Sequence, residues 1–241
     1  MLTQAAVRSD VFRVVPNSRP FPPAPRSTGR PTYDSRGETH SLDENLHLMG
    51  ATMSYPRNTE IFGENEPADY VYKVVSGSVR TYNILSDGRR QIGGFYLPGD
   101  IFGIEFDGDH TSAAEAISDA KVLVIKRSAL DALASRDASV ARELFALTAR
   151  ELRRVQDRIL LLIKSAQERV AGFLLEMAKR ASGGNAIDLP MSRQDIADYL
   201  GLTIETVSRT LTSLETAATI DVPTSRRIVL RNRSALTRMN G

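Results

Sequence analysis

Apolar positions along the chain change their period near residue 128. Between 52 and 126 they form short β-rich runs cut by turn residues. Tyr70-Val71-Tyr72-Lys73-Val74-Val75 is broken by Ser76-Gly77. Val79 opens a second run to Leu85, and Ser86-Asp87-Gly88 closes it with a hairpin-turn signal. A third run covers 91–96 before Leu97-Pro98-Gly99-Asp100, and Lys121-Val122-Leu123-Val124-Ile125 ends the series. Strands this short and this regularly spaced predict a sandwich or barrel.

Beyond 128 the period is helical. Ser128 is placed to cap a short helix ending at Ala134. A long helix is expected over 138–165. In it Ala141, Phe145, Thr148, Leu152, Val155, Ile159, Leu162 and Ala166 recur at alternating steps of four and three, a heptad seam. Arg150, Arg153, Arg154, Asp157 and Arg158 lie off the seam, and Leu144, Leu147, Leu160 and Leu161 serve other faces. Phe145, Thr148, Leu152, Val155, Ile159 and Leu162 are the expected contacts of a parallel homodimer. A further helix over 167–180 ends at Ser182-Gly183-Gly184, a stop signal.

The next stretch is the most informative. Ser192 suits an N-cap, with Asp195 near the capping-box position. Ile196, Ala197 and Leu200 make an apolar stripe, Gly201 allows a tight turn, and Thr203 can cap a second helix buried through Val207, Leu211 and Leu214. This is helix–turn–helix grammar. The second helix presents Ile204, Glu205, Ser208 and Arg209 together. A Glu carboxylate accepts from cytosine N4, an Arg fork donates to guanine O6 and N7, and an apolar side chain meets a thymine methyl. These four are the candidate base readers. An ordinary αα-hairpin with a charged surface would lack this combination of two caps, Gly turn and polar cluster. Thr219 to Val222 and Ile228 to Leu230 then flank Pro223-Thr224-Ser225-Arg226-Arg227, a hairpin placed to form a wing. Arg226 and Arg227 at its tip, with Ser192, Arg193, Thr203, Thr206 and Thr210, are the candidate phosphate contacts, which add affinity without sequence information.

Composition narrows the function classes. The chain has 241 residues, 41% hydrophobic and 25% charged, enough for one large or two modest cores. It has no Cys and no Trp, and only His40, His47 and His110. Disulfides, thiolate metal sites and Cys nucleophiles are excluded, and no catalytic set, metal site or cofactor is expected. A cupin-like enzyme, which needs a His-x-His pair and further ligands, has one His to draw on between 48 and 241. No apolar run approaches a membrane span of roughly 18 residues, so a soluble cytoplasmic protein is expected. Net charge is +2 but unevenly placed: residues 46–126 carry 7 Lys/Arg against 11 Asp/Glu, and 151–241 carry 14 against 10. A basic end suits a polyanion partner. Residues 1–45 hold six of the 11 prolines and read as an arm without regular elements.

These residues resemble the CRP/FNR family of bacterial transcription regulators over roughly 46–232. The β-roll part of the resemblance rests on Tyr72, Val75, Gly77, Gly88 and Phe95 through Pro98-Gly99-Asp100-Ile101-Phe102-Gly103; the helix–turn–helix string is the more specific part. The resemblance implies an α+β chain: an arm over 1–45, a cyclic-nucleotide-binding-like β-roll over 46–135, a dimerisation helix over 136–166, and a winged helix–turn–helix over 167–241. Ile204-Glu205-Thr206-Val207-Ser208-Arg209 resembles the FixK branch, whose reading helix carries Glu-x-x-Ser-Arg and reads TTGAT-N4-ATCAA. A homodimer would set two reading helices about one DNA turn apart, roughly 34 Å, on a palindromic double-stranded operator. Where the cyclic-AMP receptor branch has Arg, this chain has Ile204, which cannot donate to an outer guanine.

The effector side departs from the family's known sensors. Iron–sulfur ligation needs Cys. The cyclic-nucleotide pocket needs a Gly-Glu pair and an Arg before Ser/Thr-Ala, because Arg pairs with the ligand phosphate. Here the stretches are Gly103-Ile104-Glu105 and His110-Thr111-Ser112-Ala113. Ser192, where some FixK-type chains carry a Cys brake, cannot be oxidised that way. The resemblance therefore implies an effector-independent activator with no cofactor. It also places RNA polymerase contacts at Asp87, Gly88 and Arg89 and at Ser182 and Gly183. A ligand-gated regulator using the β-roll for another small molecule, and a repressor, stay open at this stage.

Overall fold

The computed structural model describes residues 41–105, 108–181 and 184–240. The expected arm over 1–45 lies outside the described residues as far as 40. Its last residues are a correction: Ser41 caps helix α1 (Leu42–Met49) in a full capping box with Glu44, and Leu42 and Leu46 are buried. The prolines stop at 31, so nothing in 41–49 opposes a helix.

Two four-stranded antiparallel sheets follow. Their strands are β1 (Ala51–Tyr55), β2 (Glu60–Phe62), β3 (Tyr70–Ser76), β4 (Val79–Ile84), β5 (Arg90–Tyr96), β6 (Ile101–Phe102), β7 (Ala113–Ala116) and β8 (Ala120–Lys126). The sheet orders are β1-β8-β3-β6 and β2-β7-β4-β5. Side chains alternate across each sheet. Tyr72, Val74 and Val122 point into the roll with Phe62, Val79 and Phe102. Val71, Leu123 and Ile125 point the other way, onto Leu42, Leu46, Leu130 and Val140 of the helices. Lys73 shares that outer side and pairs with Asp43 of α1.

Helix α2 (Arg127–Ala134) starts one residue before the expected cap: Lys126 is the N-cap, it makes no side-chain cap bond, and Ser128 lies inside the helix. Helix α3 (Ala138–Leu162) is the long helix, capped by Asp137. It ends three residues short of the expected 165, because Ser165 opens helix α4 (Ala166–Arg180) with a capping box to Glu168. Ala166, the last seam position, therefore belongs to α4. Leu144, Leu147 and Leu161 pack on the chain's own cores as the pattern required, whereas Leu160, expected on another face with them, is exposed. Phe145, Leu152, Val155 and Ile159 do not; Phe145 is 76% exposed. Thr148 is exposed with them. Leu162 closes the helix, and its side chain lies outside the described residues.

The remainder is a second α/β unit: β9 (Ala186–Asp188), α5 (Arg193–Leu200), α6 (Ile204–Thr216), β10 (Ile220–Asp221), β11 (Arg227–Leu230) and α7 (Arg233–Asn240). Its sheet order is β10-β11-β9. The β10–β11 hairpin is the expected wing; β9 and α7 add to it. Among the described residues no helix is long and apolar enough to cross a membrane.

Candidate DNA-reading surface

The helix–turn–helix is built by local grammar. Ser192 Oγ accepts from the Asp195 backbone N–H at 3.1 Å, and Asp195 Oδ2 accepts from the Ser192 N–H at 2.9 Å. Both orphan donors at the start of α5 are thereby satisfied. Gly201 ends α5 at φ 63°, ψ 42°, left-handed backbone that a Cβ disfavours. Gly201→Ala is expected to lower stability by about 1–2 kcal/mol, read as a lower denaturant midpoint at unchanged slope. An unchanged midpoint would show that the turn does not need its glycine. Thr203 Oγ1 then accepts from the Thr206 N–H at 3.2 Å and starts α6. Val207, Leu211 and Leu214 are buried against α4 and α5, as the stripe predicts.

Burying that stripe turns the opposite face of α6 outward. Ile204, Glu205 and Arg209 are exposed and Ser208 is half-buried. The four candidate base readers thus occupy the first turns of one helix face. The Glu205 carboxyl is held below its ordinary range by its own backbone N–H, then by the Thr203 hydroxyl and the Arg209 charge. It is ionised and a pure acceptor near neutrality.

The candidate phosphate contacts divide. Thr203, exposed, and Thr206, half-buried, sit at the N-terminus of α6, where the helix dipole favours an anion. Arg193 is half-buried at the start of α5. The Ser192 hydroxyl is committed to Asp195, to which it also donates at 2.8 Å. Thr210 Oγ1 donates to the Thr206 carbonyl at 2.8 Å. Arg226 is half-buried and donates to the Pro190 carbonyl at 2.7 Å. Arg227 is exposed on the wing, 3.6 Å from Asp188. Of the two wing arginines, only Arg227 stands clear of a backbone anchor.

On the β-roll side, the Ser86-Asp87-Gly88-Arg89 turn joins β4 to β5. Gly88 has φ 82°, and Arg89 Nε donates to Asp87 Oδ2 at 2.7 Å on an exposed tip. Ser182 and Gly183 lie outside the described residues. The hairpin forms one wall of a cleft of about 730 Å³ whose other wall includes Asp198, Gly201, Thr203, Ile204 and Glu205. Sequence reasoning missed this juxtaposition, because the two walls lie more than 100 residues apart.

A second cavity, about 300 Å³, lies between the roll and α3. Phe62, Tyr96, Phe102, Leu152, Thr111 and Ser112 line it, and the charged groups on its wall, among the described residues, are Glu105 and Glu151. Tyr96 donates to Glu151 Oε1 at 3.4 Å, and burial raises its phenol pKa well above the ordinary value. A cyclic phosphate placed here would face carboxylates and no cation. The described residues do not fit a cyclic nucleotide. Beside it, His110 is buried, stacked on Phe62 at 3.6 Å, with Nδ1 3.1 Å from Glu105 Oε2.

Known proteins resemble the chain along the same division. The profile of the Crp-like helix-turn-helix domain matches residues 168–239, and that of the cyclic nucleotide-binding domain matches 52–137. The chain is 52% identical over 198 residues to "Nitrogen fixation regulation protein FixK" of Azorhizobium caulinodans, covering 80% of each chain. It is 41% identical over 198 residues to the protein of the same name from Rhizobium meliloti, covering 79% of this chain and 90% of that one. The structure of FixK2 from Bradyrhizobium japonicum superposes with a TM-score of 0.77 at 54% identity, covering 80% of this chain and 98% of that one.

Proposed function

Because the chain belongs to the CRP/FNR family of DNA-binding transcription regulators, we propose that it acts as a FixK-type homodimeric activator that reads a TTGAT-N4-ATCAA palindrome without a bound effector. The observation that carries the reading is the quartet on the outward face of α6, three of them exposed and Ser208 half-buried. Glu205 is an ionised acceptor suited to cytosine N4, Arg209 a fork suited to guanine, and Ile204 an apolar contact for a thymine methyl. Ser208 adds a hydroxyl that serves either base type. Arg227, Thr203 and Thr206 are assigned to phosphates, with Arg193 beside them. Ser192, Thr210 and Arg226 keep a positioning role through their own hydrogen bonds.

The exposed α3 positions Phe145, Thr148, Leu152, Val155 and Ile159 support the dimer. The exposed Asp87-Gly88-Arg89 tip is the candidate RNA polymerase contact. Effector independence rests on the acidic lining of the roll cavity. The same cavity favours a second reading, a regulator gated by a neutral or cationic small molecule, for which its phenyl walls and two carboxylates are suited.

Mobility shifts with the purified protein, at one stated salt concentration, test the first reading. The expected result is binding to the palindrome without additive, tighter than to scrambled DNA by a factor of at least about 10³. Equal affinity for both would overturn it. Added cyclic AMP should change neither the affinity nor the melting temperature. An absolute requirement for a cell-extract small molecule would favour the second reading.

A further inference from the structure

Strand β5 is the seam between the roll and the reading head: Arg90, Gln91, Ile92 and Phe95 are committed there. A bulge makes this possible. Thr81 pairs with Gly94 and Tyr82 with Ile92, so Gly93 is an extra residue on β5. The bulge brings Ile92 and Phe95, three apart, to one side, where both join the core of the reading head. Phe95 packs on Tyr199 at 5.1 Å and on Phe173 at 6.3 Å between ring centroids. The freed carbonyl of Gly93 accepts from Arg158 of α3, and the Phe95 carbonyl from Arg180 of α4 at 2.8 Å.

The polar part of the seam converges on α5. Asp195 Oδ1 accepts from Arg80 Nη1 at 2.6 Å and from Arg90 Nη2 at 2.7 Å. Its other oxygen is taken by the cap of its own helix. Arg80 reaches Glu115 at 2.9 Å with its second nitrogen, and Arg90 Nε reaches Asp198 Oδ2 at 2.9 Å. Gln91 Nε2 donates to the Asp198 carbonyl at 2.8 Å. Arg80 is 8% exposed and Asp195 is 4% exposed. Apolar contacts tolerate sliding, whereas buried forked ion pairs accept one geometry and fix a register.

Residues 163–165 link α3 to α4, and across the seam the Ile92 and Phe95 packing, the Arg180 bond and the arginine pair together define the head's orientation. With the pair closed, Glu205 and Arg209 stay solvent-exposed, and Ile204 and Glu205 border the cleft that faces the β4–β5 hairpin. We infer that Arg80 and Arg90 are positioning residues for operator recognition: through Asp195 and Asp198 they set the angle of α6 on the β-roll, and so the half-site spacing the dimer accepts. The inference rests on the operator-binding dimer proposed above.

Two readouts test it. The chain has no native Cys, so Lys121→Cys and Thr212→Cys give one spin-label pair per protomer, diluted with unlabelled protein. The labelled protein should show one narrow distance distribution. Arg90→Leu should broaden it with fold and dimer mass retained, and Arg90→Lys, which keeps a cation between Asp195 and Asp198, should broaden it less. On palindromes with three-, four- and five-base spacers, the parent should separate the best from the worst by about tenfold or more, and Arg90→Leu by about threefold or less. Unchanged distances and spacer ratios in Arg90→Leu would overturn the inference. Broadened distances in a protein whose parent ignores the palindrome would instead overturn the operator reading and leave the positioning role standing.

Discussion

Arg209→Ala is expected to weaken the cognate palindrome by about 1–3 kcal/mol, roughly ten- to hundredfold in Kd, and to blunt discrimination at its G·C pair. The side chain is exposed on the reading face of α6, one turn from Glu205. Removing it deletes the guanine fork. That effect is confined to sequences that present that base pair. Arg227→Ala should behave differently. Arg227 lies on the wing, outside any base-reading cluster, so its loss should weaken all sequences alike and lower the salt slope by about 1. Titrations of both variants on cognate, G·C-substituted and scrambled duplexes, over a range of salt, separate the two. If they lose affinity in the same pattern, the division between base reading and phosphate contact is wrong.

Most of that site was legible in the chain because its determinants are local. Ser192, Asp195, Gly201 and Thr203 each act on partners within three or four residues, and the 191–214 string carries caps, turn and stripe in one stretch. The β-rich runs of β3 and β8, cut by turn residues, were equally local. Short elements gave too little pattern: β6 has two residues and β9 three. Helix α1 carries Ser41, Glu44, Leu42 and Leu46 in capping-box and helical spacing, but the proline run before it hid that signal. Helix α7 begins from Asn232, whose Oδ1 accepts from the Ala235 N–H at 2.9 Å, inside an Arg-rich tail that reads as solvated surface.

The seam between roll and head was not legible at all. Arg80 and Arg90 meet Asp195 across 115 and 105 residues, and no periodicity reports such a pair. Counting charge by segment even worked against it. The acidic first half and basic second half suggested two separately solvated surfaces. Instead two arginines of the acidic half are spent inside on two carboxylates of the basic half. Arg154 and Arg180 of the basic half pair in turn with Asp100 of the roll, so the exchange runs both ways and the excess of basic residues over 151–241 is kept.

Leu152→Glu combined with Ile159→Glu should abolish the dimer and with it most of the operator affinity. Each side chain is 58% exposed in the single chain, so a carboxylate at either place removes little from the protomer's own core. In a parallel dimer the same positions face their counterparts. Two substitutions per protomer withdraw four large apolar side chains, at about 1.5–3 kcal/mol each, or roughly 6–12 kcal/mol, before any repulsion between facing carboxylates. A micromolar dimer is held by only about 8 kcal/mol. The expected species is therefore a folded monomer, with unchanged circular dichroism and half the sedimenting mass. A monomer carries one reading helix. Its affinity for the palindrome should fall to that of a single half-site, because the second half-site no longer binds as part of the same event. If the variant stays dimeric, the exposed α3 face is not the interface, and the spacing set by Arg80 and Arg90 would have to be transmitted across some other pair of surfaces. A monomer that still binds the whole palindrome as tightly as the parent would break the link between palindrome and dimer on which the reading of Ile204, Glu205, Ser208 and Arg209 as paired half-site readers depends.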